Sequence, residues 1–198
     1  MRLLSFLLFM PFLVFAEIDQ TLRSDLLEMA KLDQSARKQL ADAGWNEAPK
    51  ALHNKLSTID HNNTEKLKML LRHRQWFSMD EVGKEGIGAA FLIIQHSPDT
   101  AFQEKMLPVL KTSYLNNEGV SGQEVALLTD RVLIHKGQKQ RYGTQANLED
   151  GEIVFMPIAN IDTVDERRAE MNMPPLAFYK KLMEEMYGIK DHPEIDLN

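Results

Sequence analysis

The chain of 198 residues contains no cysteine. That excludes disulfides, thiolate nucleophiles and thiolate metal sites, so the fold must rest on its own core. Basic runs are missing too. The 23 Lys and Arg are outnumbered by 29 Asp and Glu, for a formal charge of −6. An acidic chain without a basic stretch lacks the electrostatic footprint for nucleic acid or anionic lipid. No Gly/Ser-rich or Pro-rich linker divides the chain, and no internal repeat is visible. G-x-S-x-G and H-E-x-x-H do not occur. His53, His61 and His73 lack metal-ligand spacing, and GKEGIG at 83–88 lacks the preceding strand of a dinucleotide fold. No metal and no cofactor is implied. The methionines, MNM at 171–173 among them, fall at helical spacing, which makes them core rather than a thioether copper site.

The first feature that is present is MRLLSFLLFMPFLVFA. Arg2 supplies a positive start, Leu3 to Phe15 is nearly all apolar, and Val14 and Ala16 are small residues three and one before a cleavage point. This is the pattern of a secretory signal peptide. The 13-residue run falls short of the ~20 residues of a spanning helix, which disfavours an uncleaved anchor. The expectation is cleavage after Ala16, export to the periplasm or beyond, and no stable membrane insertion afterwards. Residues 17–198 then form a single domain, long enough to bury most of its apolar surface.

Hydrophobic spacing predicts a mainly α, compact multi-helix domain. Leu22, Leu26, Met29, Ala30, Leu40 and Ala41 recur by threes and fours over 19–42. Weaker periodicity covers 47–59, ending near the turn-like IDHNNT, and TEKLKMLLRHRQW predicts a further amphipathic helix over 64–76. Residues 80–96 are apolar on every side from Ile87 to Ile94, which marks a central helix. Ser97-Pro98 reads as an N-cap and first turn for 98–114, and Ser121 with Glu124 as a capping box for 121–136. A loop with one small β-hairpin is expected near 137–158, around Ile153-Val154-Phe155. Thr163 and Glu166 open another short helix, and Pro174-Pro175 begins the last, which Gly188 stops.

Four groups of polar residues interrupt this pattern. Asp33 stands in the apolar stripe of the first helix, with Arg37 one turn later, either as an edge ion pair or as part of a site. His96 ends the central helix on a face with Ala89 and Leu92. There the helix terminus favours the cation while burial opposes it, which suits proton exchange as well as a bonded core histidine. Asp130 and Arg131 sit mid-helix in VALLTDRVLI. Adjacent helix positions differ by about 100°, so at least one is buried and needs a partner. Finally, QRYGTQ gathers Gln140, Tyr142, Thr144 and Gln145 around Gly143. These neutral donors and acceptors suit a sugar, peptide or heterocycle, or else brace the helices.

Taken together, Asp33-Gln34-x-x-Arg37, Gln95-His96 followed by Phe102-Gln103, Thr129-Asp130-Arg131, Gln140-Arg141-Tyr142-Gly143-Thr144-Gln145, and Asp165-Glu166-Arg167-Arg168 followed by Pro174-Pro175-Leu176 resemble a family of bacterial proteins known only as a domain of unknown function. The resemblance spans roughly residues 22–180. The family often has Gly-Trp-Pro where this chain has Gln75-Trp76-Phe77. The resemblance implies no activity. It does imply that His96, Asp130, Arg131 and the YGTQ loop form one constellation, to which Gln95, Gln103 and Arg167 belong.

Three functions follow as expectations. The favoured one is a polar pocket for a small polar ligand or peptide, lined by Asp33, Arg37, Gln95, Gln103, Gln140, Tyr142, Gly143, Thr144, Gln145 and Arg167. The first alternative is a cell-envelope hydrolase or lyase, with His96 as general acid or base, Asp130 as its orienting carboxylate and Arg131 stabilising negative charge. The second is a structural or protein-interaction module in which all these side chains pair internally.

Overall fold

The helix expected over 19–42 forms at Gln20–Asp42, and its apolar stripe packs on the second and third helices. A computed structural model describes residues 18–45 and 47–195. The expected signal peptide, residues 1–16, lies outside the described residues. In chain order the elements are α1 (Gln20–Asp42), α2 (Lys50–Leu70), α3 (Met79–His96), α4 (Thr100–Leu115), α5 (Gly122–His135), β1 (Ala146–Glu149), β2 (Glu152–Phe155), a short 3-10 turn (Ile161–Thr163), α6 (Val164–Glu170) and α7 (Leu176–Met186). The domain is mainly α, with one two-stranded antiparallel sheet. No described helix is long and apolar enough to cross a membrane.

α3 is the centre. Its Ile87, Ala90, Ile93 and Ile94 are buried among Leu26 and Met29 of α1, Leu67 of α2, Leu110 of α4 and Leu128 of α5. α1 packs along α3 and α2, and α4 packs on α5. Gly83 interrupts α3 near its start with φ 68°, a bend that L side chains resist.

Two expected boundaries move. α2 is one helix that continues through IDHNNT and stops at Leu70, not two helices flanking a turn. The polar residues that read as a turn serve tertiary bonds instead. Asn63 donates to the Met29 carbonyl at 3.0 Å, and Thr64 Oγ1 donates to the Asp60 carbonyl at 2.7 Å and pairs with the Ser97 hydroxyl at 2.9 Å. The start of α4 also moves. Asp99, not Ser97, caps it by accepting from Phe102 N at 2.9 Å, and Ser97 ends α3 instead. The Ser121–Glu124 capping box of α5 forms as expected.

Gly122 opens α5 in close contact with Met171. A Cβ there would lie 2.2 Å from the Met171 carbonyl oxygen, whereas one at Gly88 meets nothing nearer than 4.0 Å. Gly122→Ala is expected to destabilise by roughly 1–3 kcal/mol through forced separation. Gly88→Ala, inside a helix, is expected to stabilise by about 0.5–1 kcal/mol. Urea unfolding of the two variants should give shifts of opposite sign.

Candidate functional site

The corner between α3 and α4 carries the sequence candidates Gln95, His96 and Gln103. Gln103 is buried and donates from one amide nitrogen to the carbonyls of Ile94, Gln95 and Ser97 at 3.0–3.2 Å. It thereby caps the carbonyls that the end of a helix leaves unpaired. Thr64 holds the same corner from α2 through Ser97. Gln103 is thus a support beneath the corner, while Gln95 and His96 ride on it.

His96 meets α1 and α2 there. Its Nδ1 lies 2.9 and 3.0 Å from the two Asp33 oxygens and 2.9 Å from Arg37 Nε. One nitrogen cannot serve both partners at once. When it carries a proton it donates to Asp33, and when it does not it accepts from Arg37. Either way Nε2 is the ring atom left for the surroundings, and it has no partner among the described residues. Arg37 also reaches both oxygens of Asp60 at 2.8 and 2.9 Å.

Asp33 is 1% exposed. Burial opposes its ionisation, but the His96 hydrogen bond and the charges of His96 and Arg37 outweigh it and hold the carboxyl below its ordinary range. Asp60 goes the other way, pushed up by burial, partly relieved by Arg37 and reinforced by the nearby Asp33 charge. One guanidinium thus serves two carboxylates.

Arg131 stands apart from that balance. Among the described residues no carboxylate approaches it within 4.0 Å. With the Gln95 amide oxygen turned toward it, Arg131 donates to that oxygen from Nε at 2.8 Å and from Nη2 at 3.0 Å. Burial, then the Arg37 charge, push the guanidinium below its ordinary value, though an arginine stays cationic in proteins. His135, one turn on, is lowered by burial and then by the Arg131 charge, both of which favour the neutral imidazole.

These groups share a cleft of about 430 Å³, lined by Arg37, Asp60, Gln95, His96, Arg131 and His135, with the aromatic rings of Trp45 and Tyr187. A larger groove, about 800 Å³, runs past Lys68, Phe102 and Met106. Its Lys68 is already paired with Asp99 and Glu65, and only the smaller cleft collects the ionisable candidates.

Asp130 and the QRYGTQ loop do not join that cleft. Asp130, 0% exposed, points about 100° around α5 from Arg131. It accepts from the backbone N–H of Arg141 at 2.6 Å, of Tyr142 at 3.0 Å and of Thr144 at 2.9 Å, and from Thr144 Oγ1 at 2.9 Å. The loop carbonyls are held from α6, with Arg167 donating to Arg141 O at 2.8 Å and Arg168 to Tyr142 O at 2.8 Å. Gln140 donates to Gln145 O and Met156 O and accepts from Gln145 N, at 2.7–2.9 Å. Gly143 takes φ 69°, with Ile158 and Leu176 close behind it. Tyr142 and Thr144 are buried. This half of the expected constellation is a braced loop, so His96 takes its carboxylate from Asp33 instead of Asp130.

Sequence reasoning missed Asp60, Trp45, His135 and Tyr187 in the cleft, and Arg168, which is 0% exposed beneath the loop. Asp60 lay in the stretch read as a turn. Arg168 was visible only as the neighbour of Arg167.

Comparison with protein families matches residues 20–192 to a family of unknown function, DUF6624. The chain belongs to that family. This accords with the resemblance drawn from the motifs. No curated protein and no solved structure matches the chain. The DUF6624 assignment names no chemistry, so function rests on the cleft.

Two outcomes test this geometry. A buried donor left unpaired costs about 1–3 kcal/mol, so Asp130→Ala is expected to lower the unfolding free energy by at least about 3 kcal/mol, read by urea denaturation. A smaller loss means that water replaces the carboxylate. The second outcome concerns pH. A carboxyl whose folded pKa is depressed adds stability above its unfolded value, 3.8 for Asp33, and loses it as pH falls through the lower folded value. The stability gap between wild type and Asp33→Asn should therefore be widest near neutral pH and shrink as the solution is acidified through that range. A gap that widens on acidification contradicts the network.

Proposed function

We propose that this is an exported domain whose cleft binds a small polar ligand through an oxyanion, a carboxylate or a phosphoryl group. The observation that carries this is Arg131, a half-buried guanidinium lining a cleft with only an amide oxygen for a partner. A buried cation without a counter-charge is costly, and a planar guanidinium matches a two-oxygen anion. Gln95 holds the fork in place, and His135 offers a further hydrogen bond. Trp45 and Tyr187 offer flat apolar faces to the rest of the ligand. The apolar segment ending at Ala16 supports export to the periplasm or beyond.

A second reading, acid–base catalysis in a hydrolase or lyase, has its own support in the Asp33–His96 pair. Both states of Nδ1 have a partner waiting, Asp33 for the protonated nitrogen and Arg37 for the bare one. Nε2 can then take or give a proton without the ring turning. No Ser, Thr or Lys stands at the ring as a nucleophile among the described hydrogen bonds, so water would be the attacking group.

The deciding measurement is thermal unfolding of wild type and Arg131→Gln against a panel of envelope metabolites containing carboxylates, phosphate esters and neutral sugars. A ligand present at 100 times its Kd adds about 2.7 kcal/mol, so a member that binds should raise Tm by several degrees. Anionic members should stabilise wild type and not the variant. Stabilisation of both proteins alike, or of neither, overturns the proposal.

A further inference from the structure

The His96–Arg131 cleft does not end at Trp45 and Tyr187. The same two residues line a second groove of about 640 Å³, together with Ala146, Asn147, Leu148, Glu149 and Met183, and with Ile153 of β2. The two spaces are therefore neighbours, with one aromatic pair between them. Their characters differ. The first is ionic, while the second presents Leu148 and Tyr187, each 61% exposed, and Trp45, 42% exposed.

The second groove runs along a strand edge. Side chains alternate between the faces of a strand, so a groove over one face would be lined by every second residue. Here four consecutive residues of β1 line it, with Ile153 opposite Leu148, so the groove takes in the strand's edge together with part of one face. β1 pairs only with β2 among the described residues, so its other edge is free. The register says which groups that edge offers. Met156 N donates to Gln145 O, and the ladder continues through Ala146↔Phe155, Asn147↔Val154, Leu148↔Ile153 and Glu149↔Glu152. In an antiparallel pair, residues that bond across alternate with residues that do not. Gln145, Asn147 and Glu149 therefore face β2, and the N–H and C=O groups of Ala146 and Leu148 point outward. The turn between the strands, with Asp150 at φ 51° and Gly151 at φ 80°, has the positive angles of a tight hairpin turn that fixes this register.

We propose that the cleft and the groove together form one site for the C-terminal end of an extended peptide. This deepens the ligand-binding reading and rests on it. The terminal carboxylate sits on Arg131 beside His96. The last side chains lie over Trp45 and Tyr187. The preceding backbone pairs with Ala146 and Leu148 as an added strand, a recurring mode of peptide recognition. Charge order agrees with that direction, because the unpaired cation lies in the cleft and Glu149 in the groove, where it suits the amine or basic side chains of an incoming chain.

The test uses a hexapeptide array of random sequences tethered by their N-termini, made once with free C-terminal carboxylates and once with C-terminal amides. Full-length mature protein, wild type and Arg131→Gln, is applied to both. The expected result is a set of spots on the acid array that vanish on the amide array and weaken about tenfold or more with Arg131→Gln, the loss of one charged hydrogen-bonded contact. The strongest peptides are then remade with single backbone N-methyl groups and titrated in solution, following Trp45 fluorescence in a Trp76→Phe background. Methylation at every second position should weaken binding, and methylation at the positions between should not. Equal binding to acids and amides overturns the proposal, as does indifference to N-methylation. Absence of spots beside metabolite-induced Tm shifts sinks the peptide reading and leaves the oxyanion cleft standing. Absence of both removes the two together. Self-association of the wild type that Leu148→Pro abolishes gives the edge to a second copy of the chain, which also overturns it.

Discussion

A single buried carboxylate organises the C-terminal third of the molecule. Asp130 is stabilised by three backbone N–H groups and a hydroxyl. Those donors must converge, so the chain from Arg141 to Thr144 has to wrap around one point, and Gly143 supplies the positive φ that the wrap requires. Arg168 meets the same loop from behind, under the Tyr179 ring at 4.8 Å. The loop is held by its N–H groups from α5 and by its carbonyls from α6. Its strand continuation, β1, is thereby set at a fixed place against Trp45 and Tyr187.

The same helix presents another face at the next residue. Arg131 turns about 100° from Asp130 and enters the cleft. α5 therefore ties a structural centre to a chemical one through one peptide unit. The opposite wall is built on α1 and α2, where Asp33, Arg37 and Asp60 satisfy one another and His96. That network is paired within itself, whereas Arg131 has no carboxylate within 4.0 Å among the described residues.

Much of this was legible beforehand, and the failures have physical causes. The threes-and-fours spacing in α1, the all-apolar run of α3 and the capping box of α5 reported their elements directly. That at least one of Asp130 and Arg131 is buried could be read from the apolar residues on both sides. The partner of Asp130 could not be read, because backbone N–H groups carry no residue signature. The family resemblance grouped Asp130 with His96, but the carboxylate that reaches His96 is Asp33, 63 positions away. IDHNNT looked like a turn because propensity cannot see that Asn63 and Thr64 have partners on α1 and after α3. Trp45, Asp60 and Tyr187 stand in three separate segments and meet only in the folded chain.

Gln103 has a consequence beyond holding a corner. A helix ends in carbonyls whose summed partial charge is about half an electron, and His96 is the last residue of such a helix. Two of those carbonyls, of Ile94 and Gln95, receive the Gln103 amide, which offsets part of that field at the imidazole. The electrostatic environment of the ring is therefore shared between the backbone and two side chains, Asp33 and Arg37. A backbone field cannot be altered by substitution, but a side-chain field can. The two side chains that reach this histidine both stand on α1, so substitutions there change its surroundings with the central helix left untouched.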